Sequence, residues 1–219
     1  MALYRDRRDA GEKLADALED LRGTPDLLVL ALPRGGVPVA EPVARRLGAP
    51  LDVFVVRKIG FPGNEEFAMG AVASGGIVLV QPELLERVPE EEFRWALQRA
   101  VQELNERERS YRGGRPPPNV EGRTVVLIDD GLATGATMRA AVEALRRQRP
   151  RQIIAAVPIA SPETCEALAR EVDRMVCAAT PEPFHAVGLW YGDFSPTTDE
   201  EVKRILGGSG QEERAEESP

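Results

Sequence analysis

Residues 125–137, Val125-Val126-Leu127-Ile128-Asp129-Asp130-Gly131-Leu132-Ala133-Thr134-Gly135-Ala136-Thr137, constrain this chain more than any other stretch. Four consecutive aliphatic residues, three of them β-branched, read as a strand buried on both faces. Two adjacent carboxylates stand where that strand should end. A turn of small residues follows, and Met138, Ala141, Val142 and Leu145 then recur at helical spacing. The spacing therefore predicts a strand, an acidic loop and a helix start. A helix N-terminus presents unpaired N–H groups to an anion. Small residues let the backbone approach a ligand closely, and Thr134 and Thr137 offer hydroxyls. Two carboxylates beside a bare phosphate would repel it. They suit a ligand that carries hydroxyl donors near its phosphate, and a ribose 5-phosphate is such a ligand. An ordinary strand-to-helix turn capped by Asp would not need paired acids, two threonines and a helix start together.

The same alternation runs along the chain. Leu14, Ala17, Leu18 and Leu21 predict a helix over 9–22, ended by Gly23-Thr24-Pro25. Residues 27–32 and 51–56 read as buried strands, separated by a helix marked by Val39, Val43, Ala44 and Leu47. A Gly-rich stretch, 58–76, reads as a loop with short strands near 67–73 and 77–80. An amphipathic helix is expected over about 90–110, a helix at 137–147, and strands at 124–128, 153–157 and 175–178. Ser161-Pro162 has the form of an N-cap and first-turn proline. Alternating β and α elements predict a parallel sheet with helices on both faces. Ligands bind such sheets beyond the carboxyl ends of the strands, where the acidic loop falls.

With 219 residues, 42% hydrophobic and 29% charged, the chain has the composition of one soluble globular domain. We take residues 1–206 as that domain and 207–219, rich in Gly, Glu and Ser, as a disordered tail. No apolar run reaches membrane-spanning length, and Met1 to Arg8 lacks the apolar stretch of a secretory signal. Two cysteines, Cys165 and Cys177, make a disulfide framework unexpected, so a reduced cytoplasmic protein is expected. A net charge of -8 argues against nucleic-acid or membrane binding. Any anion site must then be assembled locally.

Two further segments could help to assemble it. Leu30-Ala31-Leu32-Pro33-Arg34-Gly35-Gly36 repeats the logic of strand, small loop and helix start. Gly35 and Gly36 let N–H groups point at an anion, and Arg34 adds a forked donor suited to phosphate oxygens. Arg57-Lys58 follows a predicted strand, and lysine occurs only at 13, 58 and 203. Near the C-terminus, residues 184–194 gather Phe184, Trp190, Tyr191 and Phe194 in a chain that is 5% aromatic.

Residues 125–137 resemble the phosphoribosyl-diphosphate (PRPP) signature of type I phosphoribosyltransferases. The resemblance extends over most of 25–195. It implies a central parallel sheet of about five strands between helices, with a small hood drawn from 1–22 and 180–198. It implies that Asp129 and Asp130 hold the ribose hydroxyls, and that Gly131, Leu132, Ala133, Thr134, Gly135, Ala136 and Thr137 line the ribose and 5-phosphate. One departure is Gly131, where the family carries an aliphatic residue or Ser, which loosens the turn. Arg34, Gly35, Gly36, Arg57 and Lys58 would bind the pyrophosphate. Asp129, Asp130, Arg57 and Lys58 would be the catalytic set. The family's pyrophosphate loop often holds a non-proline cis peptide, which if present here would fall between Arg34 and Gly35. The segment 60–66 has the look of a flap that closes over the reacting centre.

The same resemblance implies Mg²⁺ carried mainly by PRPP, with no protein metal ligand assigned. Asp193 falls late for such a role. His185, Trp190 and Tyr191 are the candidate base contacts, although an aromatic patch is also what a core or dimer interface would use. The expected reaction moves ribose 5-phosphate from PRPP to a nitrogen nucleophile, a small-molecule base or amine, in a homodimer. A regulator that senses PRPP or a nucleotide on the same fold is the alternative. A PRPP synthase-like kinase would need an ATP site and a second domain.

Overall fold

In the computed structural model, which describes residues 2–216, the aliphatic runs become strands and the amphipathic repeats become helices. The chain order is α1 (Arg7–Asp16), β1 (Leu27–Ala31), α2 (Gly36–Leu47), β2 (Leu51–Val53), β3 (Val56–Phe61), β4 (Asn64–Ala73) and β5 (Ile77–Val80). It continues with α3 (Pro82–Leu85), α4 (Glu90–Arg112), β6 (Thr124–Ile128), α5 (Ala136–Arg147), β7 (Gln152–Ile159), α6 (Pro162–Ala169), β8 (Arg174–Ala179) and α7 (Asp199–Glu216). Five strands form a parallel sheet in the order β2-β1-β6-β7-β8, and β3-β4-β5 form a small antiparallel sheet. No helix of the described residues is long and apolar enough to cross a membrane.

Both faces of the central sheet are covered, which is why its strands read as unbroken apolar runs. Successive residues of β1 go to opposite sides. Val29 and Ala31 join Val126, Ile128 and Ile154 beneath α1, α2 and α7. Leu28 and Leu30 join Val125, Leu127 and Ile153 against Met138, Leu145 and Leu168 of α5 and α6. The register aligns Ala31 with Ile128, and Ile128 with Ala156. The loops after β1 and β6 therefore leave the sheet side by side.

The expected strand 51–56 is divided. β2 ends at Val53, and β3 begins at Val56 in the second sheet. Hydrogen bonding explains the diversion. Phe54 N still donates to Ala31 O (2.9 Å), but Val55 N donates to Ser74 Oγ (2.8 Å) and Val55 O accepts from Ser74 N (2.9 Å). Arg57 and Lys58 thus lie within the small sheet and not at a central strand's end. The 58–76 stretch, expected as a loop with two short strands, is mostly a β3–β4 hairpin whose tip lies at Pro62-Gly63.

Helix α4 bridges the two sheets. Its Ala100 and Leu104 enter the core, and Tyr111 Oη donates to Asp199 Oδ1 of α7 (2.7 Å). Arg112, fully buried, donates to Asp52 Oδ1 (2.9 Å) and Val53 O (2.6 Å) and pairs with Glu108 (2.9 Å). Buried charge is tolerated where it is paired and hydrogen-bonded in this way.

The expectation of unpaired cysteines is corrected. Cys165 of α6 and Cys177 of β8 form a disulfide, because α6 folds back on β8 and brings their Cα atoms to 6.6 Å. Helix α7 (Asp199–Glu216) runs into the stretch expected to be a tail from 207. Val202, Ile205 and Leu206 bury the first turns of α7, which continues through Gly207 and Gly208. Residues 217–219 of that expected tail lie outside the described residues.

Candidate functional site

The loop between β6 and α5 is held from behind. Leu132 N donates to Ile159 O (2.9 Å), and Leu132 O accepts from Ser161 N (3.1 Å). Ala133 O accepts from Thr164 Oγ1 (2.6 Å), Thr134 O from Arg139 Nη1 (3.1 Å), and Gly135 O from Arg139 N (2.9 Å). Four successive carbonyls are satisfied on the protein side. Among the described residues, the N–H groups of 133–137 make no hydrogen bond. Ala133, Thr134, Ala136 and Thr137 are exposed, and Gly135 takes φ 70° to turn the chain into α5. A row of open amides at a helix N-terminus is an anion cradle.

Asp129 and Asp130 stand at the head of that loop. Asp130 N donates to Asp129 Oδ1 (2.9 Å). Burial, and then the charge of Asp130, hold the Asp129 carboxyl well above its ordinary 3.8. Burial also raises Asp130, against the opposing pull of Arg7, whose Nε donates to Asp130 Oδ2 (2.8 Å). Asp130 lies against the first loop. A Cβ on Gly35 would overlap Asp130 Oδ2, and one on Gly36 would come within 2.7 Å of Ile128 O. The two glycines therefore let the loops close on each other. The cis peptide of the first loop is Pro33–Arg34, one bond before the expected position.

Above the acids sits a cover made from both ends of the fold. Tyr4 pairs with Tyr191 in an isolated bridge, and their rings lie 5.4 Å apart. Tyr4 Oη donates to Pro158 O (2.6 Å), and Tyr191 Oη donates to Asp130 O (2.6 Å). Burial pushes the Tyr4 hydroxyl up to about 12, so it remains a donor. Arg7 also donates to Ser195 O (2.7 Å) and stacks on Phe194, 3.9 Å from the ring centroid. Val187 presses on Gly131, where a Cβ would meet its Cγ1 at 2.5 Å. Gly131 thus serves close packing and does not loosen the turn.

A cleft of about 790 Å³ opens beside the loops, between the β3–β4 hairpin and α4. Pro33 and Thr137 line one end, Arg57 and Lys58 one wall, and Trp95 the far side. Lys58 is exposed. Arg57 pairs with Glu103, and its Nε is buried without a partner among the described residues. Arg34 is half-exposed, 4.0 Å from Asp199.

The donor set suits a cation only in part. Among the described residues, no three His, Cys, Asp or Glu side chains converge to hold a metal. Asp129 and Asp130, next to an anion cradle, are the hard-oxygen pair to which a Mg²⁺ carried by a diphosphate could bind while keeping its own waters.

The sequence-derived residues fall into three places. Gly35 and Gly36 lie against residues 128–130, Arg34 reaches toward Asp199, and Arg57 and Lys58 line the same cleft as Pro33 and Thr137. Tyr191 supports Asp130 through its backbone, Trp190 belongs to the aromatic cover, and His185 is exposed. Arg7 and Thr164 escaped the sequence reading. Arg7 lies 123 residues from Asp130 and carries no local motif. Thr164 appears only as the third residue after a helix cap.

The fold agrees with comparisons to known proteins. The crystal structure of TT1426 from Thermus thermophilus is 47% identical, superimposes with a TM-score of 0.81, and matches 94% of this chain and 98% of that one. A Mycobacterium tuberculosis H37Rv protein named "Putative phosphoribosyl transferase Rv0571c" is 41% identical over 211 residues, 94% of this chain but 47% of that protein. The chain therefore spans about half the length of that curated relative. The Bifunctional protein PyrR of Brevibacillus brevis is 34% identical over 103 residues, 43% of this chain and 58% of that protein. A phosphoribosyl transferase domain model matches residues 4–185, which include both loops, the paired acids and the cleft, and the chain belongs to that family.

Proposed function

We propose that this protein transfers ribose 5-phosphate from PRPP to the nitrogen of a small-molecule base, releasing pyrophosphate with inversion at the anomeric carbon. One observation carries the reading. Paired carboxylates lead directly into a loop whose carbonyls are tied behind it and whose amides of 133–137 are open. The amides and the hydroxyls of Thr134 and Thr137 take the 5-phosphate. Asp129 and Asp130 accept from the ribose hydroxyls and fix the ring, and their charge favours the positive charge that builds there as the leaving group departs. Arg34 and Lys58, with the Gly35 amide, take the pyrophosphate, and Arg57 flanks it; the Gly36 amide already donates to Leu32 O (3.1 Å), so Gly36 contributes close approach and not a donor. Mg²⁺, when bound through PRPP, neutralises diphosphate charge. Closure of the β3–β4 hairpin over the cleft excludes water that would hydrolyse PRPP. A cytoplasmic homodimer is the setting that goes with this reading.

A regulator that senses PRPP or a nucleotide is a second reading. It is favoured by the pairing of Arg57 with Glu103, which neutralises a cation on the pyrophosphate side. One experiment separates the two. Pyrophosphate release from PRPP and Mg²⁺ is measured with purine, pyrimidine and nicotinate-type acceptors, with Asp130→Asn as control. Release that depends on one acceptor and disappears in the control supports the transferase. Tight PRPP binding without release from any acceptor supports the sensor.

A further inference from the structure

The cover over Asp130 is a source of hydrogen-bond donors. Arg7 is fixed on three sides: Nε on Asp130 Oδ2 (2.8 Å), Nη1 on Ser195 O (2.7 Å), and its guanidinium on the Phe194 ring (3.9 Å). Its side chain is only 12% exposed. A guanidinium has five N–H donors and no acceptor. Among the described residues, no hydrogen bond uses Arg7 Nη2. In the same aromatic cluster, Trp190 Nε1 is buried without a partner among the described residues. An orphaned buried donor is costly unless something fills it. Two unspent donors therefore belong to one cover, and one of them is held rigidly.

Resting on the ribose 5-phosphate reading above, we propose that Arg7 binds the acceptor and selects bases that carry an oxo or carboxylate oxygen over bases that present an amino edge. Asp130 holds a ribose hydroxyl in that reading, and the anomeric carbon is bonded to the carbon that bears the 2-hydroxyl. A base on the anomeric carbon lies between the ribose and the cover formed by Val187, Tyr191 and Phe194. There it meets the remaining Arg7 donors. An oxygen accepts from them, whereas an amino group sets N–H against N–H and leaves both unpaired. Because Arg7 is already fixed by Asp130, Ser195 and Phe194, little side-chain freedom is lost on binding.

The test uses calorimetric titration of the full chain with ribose 5-phosphate, UMP, IMP and AMP. The readout is the ratio of the AMP Kd to the UMP or IMP Kd. This ratio cancels whatever Arg7 does for the shared ribose 5-phosphate. The wild type is expected to prefer UMP or IMP by at least about tenfold. Arg7→Met should bring the ratio close to one, and Arg7→Lys, which keeps the charge but loses the fork, should fall between. If Arg7→Met does not fold, as judged by its melting curve, the drop in Arg7→Lys decides. A smaller wild-type preference, or one that survives the substitutions, overturns the inference. A purely structural Arg7 would lower Tm and weaken the nucleotides alike, leaving the ratio unmoved. Absence of ribose 5-phosphate binding to the wild type overturns the site reading and this inference with it. Binding without discrimination overturns the inference alone.

Discussion

Gly35 and Asp130 occupy one space: the position a Cβ would take on Gly35 is filled by the Asp130 carboxylate. The two residues lie on different loops, so the glycine sets how deeply the acid sits. Gly35→Ala should push Asp130 aside and raise the Kd for PRPP by at least about tenfold, the effect of roughly one misplaced charged hydrogen bond. Gly207→Ala, in open space on α7, should leave binding unchanged and raise Tm slightly, by up to about 1 kcal/mol of helix propensity. Titration calorimetry and melting curves measure both. An unaltered Kd in Gly35→Ala would show that the close approach does not matter to the ligand.

Asp130→Asn should lower PRPP-dependent pyrophosphate release by about 10²–10³, the scale of one lost electrostatic contact to the transition state. Folding should survive, because the amide still accepts from Arg7. Steady-state kinetics beside a melting curve separate the two effects, and near-wild-type turnover would remove Asp130 from the mechanism.

Thr164→Val keeps the shape of its site but removes the bond from Thr164 Oγ1 to Ala133 O. The loop at 132–135 loses one of its rear anchors. PRPP Kd should rise by about five- to tenfold, corresponding to roughly 1 kcal/mol, with the maximal rate little changed. A changed maximal rate at constant affinity would argue that the anchor serves chemistry and not binding.

The acid pair also sets a pH dependence. Both folded-state carboxyls titrate above 3.8, Asp129 well above it, because of burial first. In that window the folded chain binds more protons than the unfolded chain, so ligand-free stability falls as pH rises through it. In the proposed reading PRPP affinity moves the opposite way, since there the ionised pair accepts from the ribose. Asp129→Asn should therefore match the wild-type Tm near pH 4 and exceed it near pH 8. Parallel Tm–pH curves for the two proteins would contradict the assignment of the penalty to Asp129.

Reduction should reach the loop at 132–135 through α6. The disulfide joins residues 12 apart, and Cys165 adjoins Thr164. Closing a loop of that order stabilises by about 3 kcal/mol in the chain-entropy account, or about 6–12 °C in a chain of this size. Dithiothreitol is expected to lower Tm by an amount of that order and to raise PRPP Kd. Identical melting with and without reductant would dismiss the structural role.

The central sheet was legible because its strands are buried on both faces and so spell continuous apolar runs, as in Val125 to Ile128. The acid pair and its loop were legible because their residue types follow one another along the chain. What depends on distant partners was not. The break between Val53 and Val56 follows from Ser74 capturing Val55, and nothing near Val55 announces it. Arg7 reads as an ordinary charge in the first turn of a helix and acquires meaning only opposite Asp130. The cysteines, counted as too few for a framework, pair because a short helix doubles back on the edge strand. Gly131 looked like slack in a turn until Val187 filled the space above it.

The rear anchoring of residues 132–135 has a thermodynamic corollary. A loop whose carbonyls are all engaged before any ligand arrives loses its conformational freedom during folding and not during binding. The entropy of ordering is then part of protein stability and absent from the ligand's free energy. Affinity for a phosphate ester should consequently change little between dilute and crowded or viscous surroundings, because no segment of this loop has to be gathered in when the anion docks.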